Sequence, residues 1–220
     1  MARKILFGDH DTAAWGLTLT GWELSAPQYK ASFVSVPGRD GDLDLSTALT
    51  DGEPKYSNRD LTATFECSNG THATRAALFG QIVNALDGRR MRIILPDDDA
   101  HAVEGRLQVA IEYNDLAHGA LTITANCDPW REAVQSKSAT LTAASAEKTA
   151  TLANNGRRIL TPTVVVSGTD ASVSLEFGES SWSLSTGTYK LPGLLLRPGA
   201  NTVKYSGFGT VDLTWTEAVL

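Results

Sequence analysis

Val36-Pro37-Gly38-Arg39-Asp40-Gly41-Asp42-Leu43-Asp44-Leu45-Ser46 is the stretch of this sequence that says most about its fold. Its Pro37, Gly38 and Gly41 are typical of tight turns, because proline presets one backbone angle and glycine tolerates positive φ. Further along, Leu61-Thr62-Ala63-Thr64-Phe65 alternates apolar and polar residues, as a strand with one buried face does. The segment therefore predicts a turn ahead of a second strand and has no feature of a catalytic loop.

Strand-like alternation dominates the first 130 residues. Leu107 to Tyr113 and Leu121 to Cys127 repeat the apolar and polar pattern seen at 61–67. This pattern predicts half-buried antiparallel strands. Pro96-Asp97-Asp98-Asp99 predicts the turn of a hairpin between residues 91–95 and 106–113.

One segment has a helical period. Between Thr71 and Asp87, about residues 71–87, one face carries the apolar residues Leu78, Phe79, Ile82, Val83 and Leu86. Gly88 follows as a C-cap residue. We expect a single helix packed on a β-sheet.

The composition changes after Trp130 to Ala, Ser, Thr and Lys. We therefore predict a first domain over 1–130, a linker over 131–137 and a second domain over 138–220. Short strand candidates separated by turn residues make the second domain a β-sandwich, with Gly207-Phe208-Gly209 as a hairpin turn. The predicted fold class is mainly β, an antiparallel domain with one helix followed by a sandwich.

Charge is unevenly distributed along the chain. The net charge is −6, and residues 1–130 hold 11 Lys+Arg against 18 Asp+Glu, a net −7, whereas residues 131–220 hold 8 against 7. Stable nucleic-acid complexes need basic surfaces, so the acidic half disfavours them. An acidic surface would instead keep a passing DNA duplex from sticking.

The sequence has no catalytic, cofactor or metal motif. It contains no Gly-x-Ser-x-Gly, no phosphate-binding loop and no histidine pair with zinc spacing. Asp40, Asp42 and Asp44 resemble the start of a calcium loop, but Leu45 stands where glycine is required and Asp51 where glutamate is usual. We expect no enzyme activity, no cofactor and no bound metal.

Cellular location is constrained by hydropathy. No apolar run approaches the ~20 residues of a membrane helix, and the N-terminal apolar stretch is too short for a signal sequence. We expect a protein used in a cytosol or exported only within a particle. In a reducing compartment Cys67 and Cys127 are expected to be buried small side chains and not a disulfide.

Five features in order resemble the distal tail proteins of long-tailed, siphovirus-type bacteriophages and prophages. They are the Pro-Gly-Arg-Asp-Gly turn at 37–41, the Tyr-x-x-Arg at 56–59, the single helix at 71–87, Cys127-Asp128-Pro129-Trp130 as a domain-closing motif, and Pro198-Gly199-Ala200-Asn201 as a turn of the second domain.

The resemblance implies a structural virion protein at the tail tip, assembled in the host cytoplasm. It implies a homo-hexamer that joins the tail tube protein to the tail-associated hub protein of the baseplate and lets DNA pass through its lumen. It also implies a galectin-like or jelly-roll second domain, where larger relatives attach receptor-binding proteins, and no membrane partner. For assembly contacts we select the residues that match the signature turn and the Tyr-x-x-Arg, namely Gly38, Arg39, Asp40, Gly41 and Arg59.

The alternative is a carbohydrate-binding accessory protein whose sandwich recognises bacterial surface glycans. Aromatic faces can stack on sugar rings, and the chain has five tryptophans, at positions 15, 22, 130, 182 and 215. That alternative predicts a monomer or dimer with an exposed aromatic platform.

Overall fold

The computed structural model describes residues 3–50 and 52–220 and divides the chain into two compact units. The first unit runs to Arg131 and includes Leu220, and the second spans Glu132–Val219. Strands make up 57% and helix 7% of the structure, which confirms the mainly β, antiparallel class with one helix. Within the described residues this helix is too short to cross a membrane.

The first unit is built on one long antiparallel sheet with the strand order β2-β1-β7-β8-β9-β6-β3, and β4 and β5 form a separate two-stranded ribbon. Its elements are β1 (Leu6–Phe7), β2 (His10–Asp11), β3 (Thr18–Leu24), β4 (Phe33–Val34), β5 (Leu43–Asp44), β6 (Arg59–Cys67), α1 (His72–Leu86), β7 (Arg90–Leu95), β8 (Asp98–Asn114) and β9 (Gly119–Ala133).

The core of the first unit follows the alternation of β6 and β9. The two strands pair without interruption from Arg59 opposite Cys127 to Cys67 opposite Gly119. Every second residue of β6 is buried, and the matching residues of β9 share that face. Cys67 and Cys127 are buried there, as the alternation predicts, and both are free thiols. Burial raises the pKa of the Cys127 thiol to about 12.

The helix lies where its periodicity predicts. Thr71 is the N-cap, and its hydroxyl accepts a hydrogen bond from the Thr74 amide. At the other end Asp87 holds the C-cap position and Gly88 comes directly after it. Phe79, Ile82 and Leu86 are buried against the sheet.

The buried face of α1 also carries a charged residue that the sequence pattern did not reveal. Arg75 is 1% exposed, one turn before Phe79. Its guanidinium donates hydrogen bonds to the Gly70 carbonyl at 2.8 Å, the Asp115 carbonyl at 2.6 Å and the Asn114 side chain at 3.1 Å. Arg75 thus ties the start of the helix to the turn between β8 and β9.

The second unit is a smaller antiparallel structure with its own core of aliphatic residues. Its sheet has the order β10-β15-β12-β13, with β11 also paired to β15 and β14 to β12. The strands are β10 (Lys137–Ala143), β11 (Lys148–Asn154), β12 (Thr163–Phe177), β13 (Ser180–Ser185), β14 (Gly187–Tyr189), β15 (Gly199–Trp215) and β16 (Ala218–Val219).

The turn motif at 198–201 is held by one buried side chain. Asn201 is 6% exposed, and its amide donates to the Arg197 carbonyl at 2.7 Å while its Oδ1 accepts from the Arg197 amide at 2.9 Å. The chain bends at Pro198 and enters β15 at Gly199, so the last three residues of the turn expected at 198–201 lie in the strand.

One further expectation from the sequence, for residues 207–209, differs from the structure. Gly207 and Gly209 were expected in a hairpin turn, but both lie inside β15. A Cβ on Gly207 would come within 2.1 Å of the Ser172 carbonyl oxygen, so glycine is needed there for the close approach of β12.

The segment 131–137, expected as a linker, consists of the end of β9, a bend and the first residue of β10. The Ala133 amide donates to the Glu217 carbonyl at 2.8 Å, so this part of the segment is hydrogen-bonded.

We expect Arg75→Met to lower the free energy of unfolding by about 3–5 kcal/mol, because it leaves three hydrogen-bond acceptors without their donor. Denaturant titration followed by circular dichroism measures the change. Arg89→Met is the matched control, since Arg89 is exposed and makes one long hydrogen bond to the Asn84 carbonyl. A loss for Arg75→Met no larger than for Arg89→Met would contradict the structural role.

Candidate assembly site

Residues 28–57 form a segment that we call the arm. It leaves the sheet after β3 and returns at β6, and it contains the β4–β5 ribbon. Every residue from Gln28 to Leu45 is exposed. The hydrogen bonds found for residues 30–50 all have both partners within the arm. Asp51, the last position of the calcium-like spacing, lies outside the described residues.

The signature turn is the tip of the β4–β5 ribbon. Gly38 and Gly41 have φ of +81° and +72°, which the sequence pattern anticipates and which side chains other than glycine rarely adopt. Nothing lies within 4 Å of a Cβ placed on either glycine, so both glycines border open space in the side-chain direction. Arg39 and Asp40 lie between them, and among the described residues their side chains make no hydrogen bond or ion pair.

The root of the arm is held by backbone pairing and aromatic contacts. The Lys30 amide donates to the Lys55 carbonyl and the Ser57 amide to the Gln28 carbonyl, both at 2.8 Å. The Tyr56 ring packs edge-on against Trp130, with ring centroids 5.7 Å apart. The Tyr of the Tyr-x-x-Arg motif therefore fixes the arm to β9.

The Arg of the same motif connects the start of β6 to the end of β3 inside the first unit. Arg59 is 8% exposed and its Nε donates to the Ser25 carbonyl at 2.7 Å, where β3 ends. Burial, and next the nearby charge of Arg131, lower the pKa of Arg59. Its Nη1 has no acceptor among the described residues. None of its contacts involves the signature turn, so the five selected residues form one exposed tip and one buried anchor.

The arm carries the largest share of exposed apolar side chains. Thirteen large hydrophobic residues are exposed in the described chain, and seven of them belong to the arm: Tyr29, Phe33, Val34, Val36, Leu43, Leu45 and Leu49. Leu49 is 98% and Phe33 59% exposed. Such a concentration marks an interaction surface more than scattered single residues do. The sequence contained a signal for it, because apolar residues such as Phe33, Val34 and Leu43 stand near the turn residues of 37–41 without a long alternating pattern.

A charged cluster lies at the start of β8. Asp98 accepts from Nη1 of Arg131 at 3.0 Å and lies 2.9 Å from Nδ1 of His101. Burial by itself raises the pKa of Asp98, but hydrogen bonding and charge from His101, together with the charge of Arg131, outweigh it and lower the pKa below 3.8. Arg131 also donates to the carbonyl of Leu220 at 2.8 Å. The cluster ties β8 to the end of the chain within the first unit.

Metal-binding groups are scattered. Over residues 3–50 and 52–220 no three His, Cys, Asp or Glu side chains come together in a way that could hold an ion. The three aspartates of the calcium-like spacing, Asp40, Asp42 and Asp44, lie along the exposed β4–β5 ribbon and its turn. The Asp44 carboxylate accepts a hydrogen bond from the Ser46 amide.

Comparison with known proteins shows a similarity of fold. No family model and no curated protein matches the sequence. The fold is similar to the crystal structure of the SPP1 Dit protein, described as a paradigm of hub adsorption apparatus in Gram-positive infecting phages. The TM-score is 0.68 at 15% identity, and the match covers 99% of each chain. The resemblance to distal tail proteins drawn from sequence motifs is thus confirmed at the level of the fold.

The Asp98 cluster makes a pH-dependent contribution to stability. Because the pKa of Asp98 is lower when folded, its contribution is present above the ordinary carboxyl pKa of about 4 and is lost as pH falls through the folded value. We expect Asp98→Asn to destabilise the protein at pH 7 and to differ less from the parent as pH falls below about 4. Denaturant titrations across pH measure this, and a difference independent of pH would contradict it.

Arg39 belongs to the signature turn and Arg59 to the Tyr-x-x-Arg motif, and their opposite surroundings make them a matched pair. We expect Arg59→Ala to cost about 1–3 kcal/mol, because the Ser25 carbonyl loses a charged donor. Amide hydrogen exchange should quicken at Ser25 and Asp60, which bond to each other. Arg39→Ala should stay within about 0.5 kcal/mol and leave exchange unchanged. Equal effects of the two substitutions would show that Arg59 is no anchor.

Proposed function

We propose that this protein is a structural virion component at the distal end of a phage tail, where six copies form a ring between the tail tube and the hub of the tail tip or baseplate. The observation that most directly supports this proposal is the exposed apolar surface of the arm. The fold shared with SPP1 Dit over the whole chain supports the location, and the arm supplies what an assembly protein needs, which is an apolar surface that the single chain leaves in water.

A ring requires contact between two different surfaces of identical subunits. Repeated around a six-fold axis, such a head-to-tail contact closes without free ends. In this proposal the arm packs on the first unit of the next subunit, and its hydrogen-bonded root keeps its direction constant. Gly38, Arg39, Asp40 and Gly41 lie at the subunit boundary, where the unpaired charges of Arg39 and Asp40 meet partners. Arg59 acts inside its own subunit as the anchor.

The two faces of the ring receive different partners. One docks on the tail tube protein and the other on the tail-associated hub protein, while the second unit offers an attachment point for a receptor-binding protein. DNA passes through the lumen without stable binding. The net charge of −7 over residues 1–130 supports this last point, because like charge keeps the duplex from adhering.

The role is geometric and not catalytic, and the site of action is the virion. Copies made in the host cytoplasm are incorporated into the tail tip during assembly. The described residues include no group of metal ligands, and the proposed task of joining two partners needs none.

The carbohydrate-binding alternative has less support from the aromatic residues. An aromatic platform requires exposed rings. Trp215 is buried and the other four tryptophans are only partly exposed. The tryptophans therefore do not form the exposed platform that this alternative requires.

We expect the purified protein to reach the mass of six copies in light scattering at increasing concentration and to show open rings in negative stain. Phe33→Glu, which places a charge in the apolar arm, should raise the concentration needed for rings about 30-fold, equivalent to about 2 kcal/mol per contact. Melting of the single chain should stay unchanged, because Phe33 is outside the core.

Phe208→Glu is the matched control. Phe208 is 67% exposed, as open as Phe33, but belongs to the second unit. It should leave ring formation unaltered. A protein that stays monomeric alone and also when mixed with tube and hub proteins would refute the ring, and equal loss in both variants would refute the arm as its contact.

A further inference from the structure

A polar cavity of about 610 Å³ lies within the second unit, separate from the arm. This size is in the range of small-ligand sites. Its wall brings together the chain after β11, the end of β15 and the bend before β10, and includes Arg158, Lys190 and Trp215. The cavity does not depend on ring formation, because all its residues come from one unit.

One wall of the cavity is held in place by buried hydrogen bonds. The Asn154 side chain is fully buried and donates to the carbonyls of Arg158 at 2.9 Å and Leu196 at 3.0 Å. Leu160 also pairs with Leu196 through its backbone. The segment that carries Arg158 is therefore ordered before any ligand arrives, which lowers the entropy cost of binding.

The charges in the wall favour an anion. Arg158 lies 3.3 Å from the Glu132 carboxylate, so one positive and one negative charge offset each other. Lys190 adds a second cation, and its ammonium group makes no ion pair among the described residues. The wall thus has a net positive charge within a chain that is acidic overall.

A buried donor without a partner also borders the cavity. Trp215 is 6% exposed, and its indole Nε1 has no acceptor among the described residues. Indole N–H can only donate, and more than about nine in ten buried polar groups in folded proteins are hydrogen-bonded. The nitrogen is shielded from solvent, so an acceptor oxygen of a ligand would reach it through a shift of the Trp215 ring on binding.

Hydroxyl groups complete the wall. They come from Ser136, Thr161, Thr163, Thr214 and Thr216. Hydroxyls donate and accept, so they match a ligand that does both. We propose that this cavity binds a hydroxyl-rich anion of the size of a monosaccharide, a sugar that carries a carboxylate or a phosphate group.

Calorimetric titration of the full chain with glucuronate, glucose 6-phosphate, glucose and inorganic phosphate tests the proposal. We expect saturable binding of at least one anionic sugar, about tenfold weaker binding of glucose, and little binding of phosphate alone. The two anionic sugars distinguish a carboxylate from a phosphate as the recognised group.

Two variants locate the site. Lys190→Gln should weaken the anionic sugar about tenfold, and Trp215→Phe, which keeps an aromatic ring but removes the N–H, about threefold to tenfold. Lys204→Gln and Trp182→Phe are the controls, since neither residue lines the cavity. Because Lys190 is exposed, its variant should fold normally.

Three outcomes would overturn the proposal. The first is no saturable binding of either anionic sugar. The second is equal affinity for glucose, which removes the role of the positive charge. The third is binding that neither Lys190→Gln nor Trp215→Phe weakens, which places the ligand elsewhere.

Discussion

The uninterrupted pairing of β6 with β9 is the constraint on which the first unit depends. It fixes which side chains face the core, because a shift of one residue would move every buried residue of both strands to the solvent side. It also sets where the arm ends. Arg59 stands at the first position of the register, opposite Cys127, and holds the end of β3 through the Ser25 carbonyl. Core and arm thus share a boundary at Arg59.

Apolar residues are buried in β6 but exposed in the arm. In β6 they alternate into the core, whereas in β4 and β5 they remain in water. Two strands of two residues each cannot bury a face of their own. A segment of this kind gains stability from a partner surface. The arm is therefore understandable as part of an assembly, and its hydrogen-bonded root limits the directions in which it can reach a neighbour.

The buried polar groups are of two kinds, those whose hydrogen bonds are satisfied within the fold and those that have a donor without a partner. Arg75 and Asn154 are fully buried with several hydrogen bonds each, and their role is to hold loops against sheets. Arg59 is bonded on one nitrogen and free on another. Trp215 has no partner at all for its indole nitrogen, and it borders a cavity that has positive charge. Groups whose hydrogen bonds are satisfied stabilise the fold, whereas the partner that the Trp215 indole nitrogen lacks fits the ligand proposed for this cavity.

Sequence alone determined the class of fold, the strands β6, β7, β8 and β9 and the helix, since alternation and helical period are local properties of neighbouring residues. It also identified the signature turn and the family whose fold the chain shares. Only the tertiary structure separated Arg39 from Arg59, placed Gly207 within a strand, buried Arg75 and assembled the cavity around Trp215. Each of these depends on residues distant in sequence, such as Ser25, Ser172 and Asp115. A local pattern carries no information about which distant carbonyl or side chain will lie beside it.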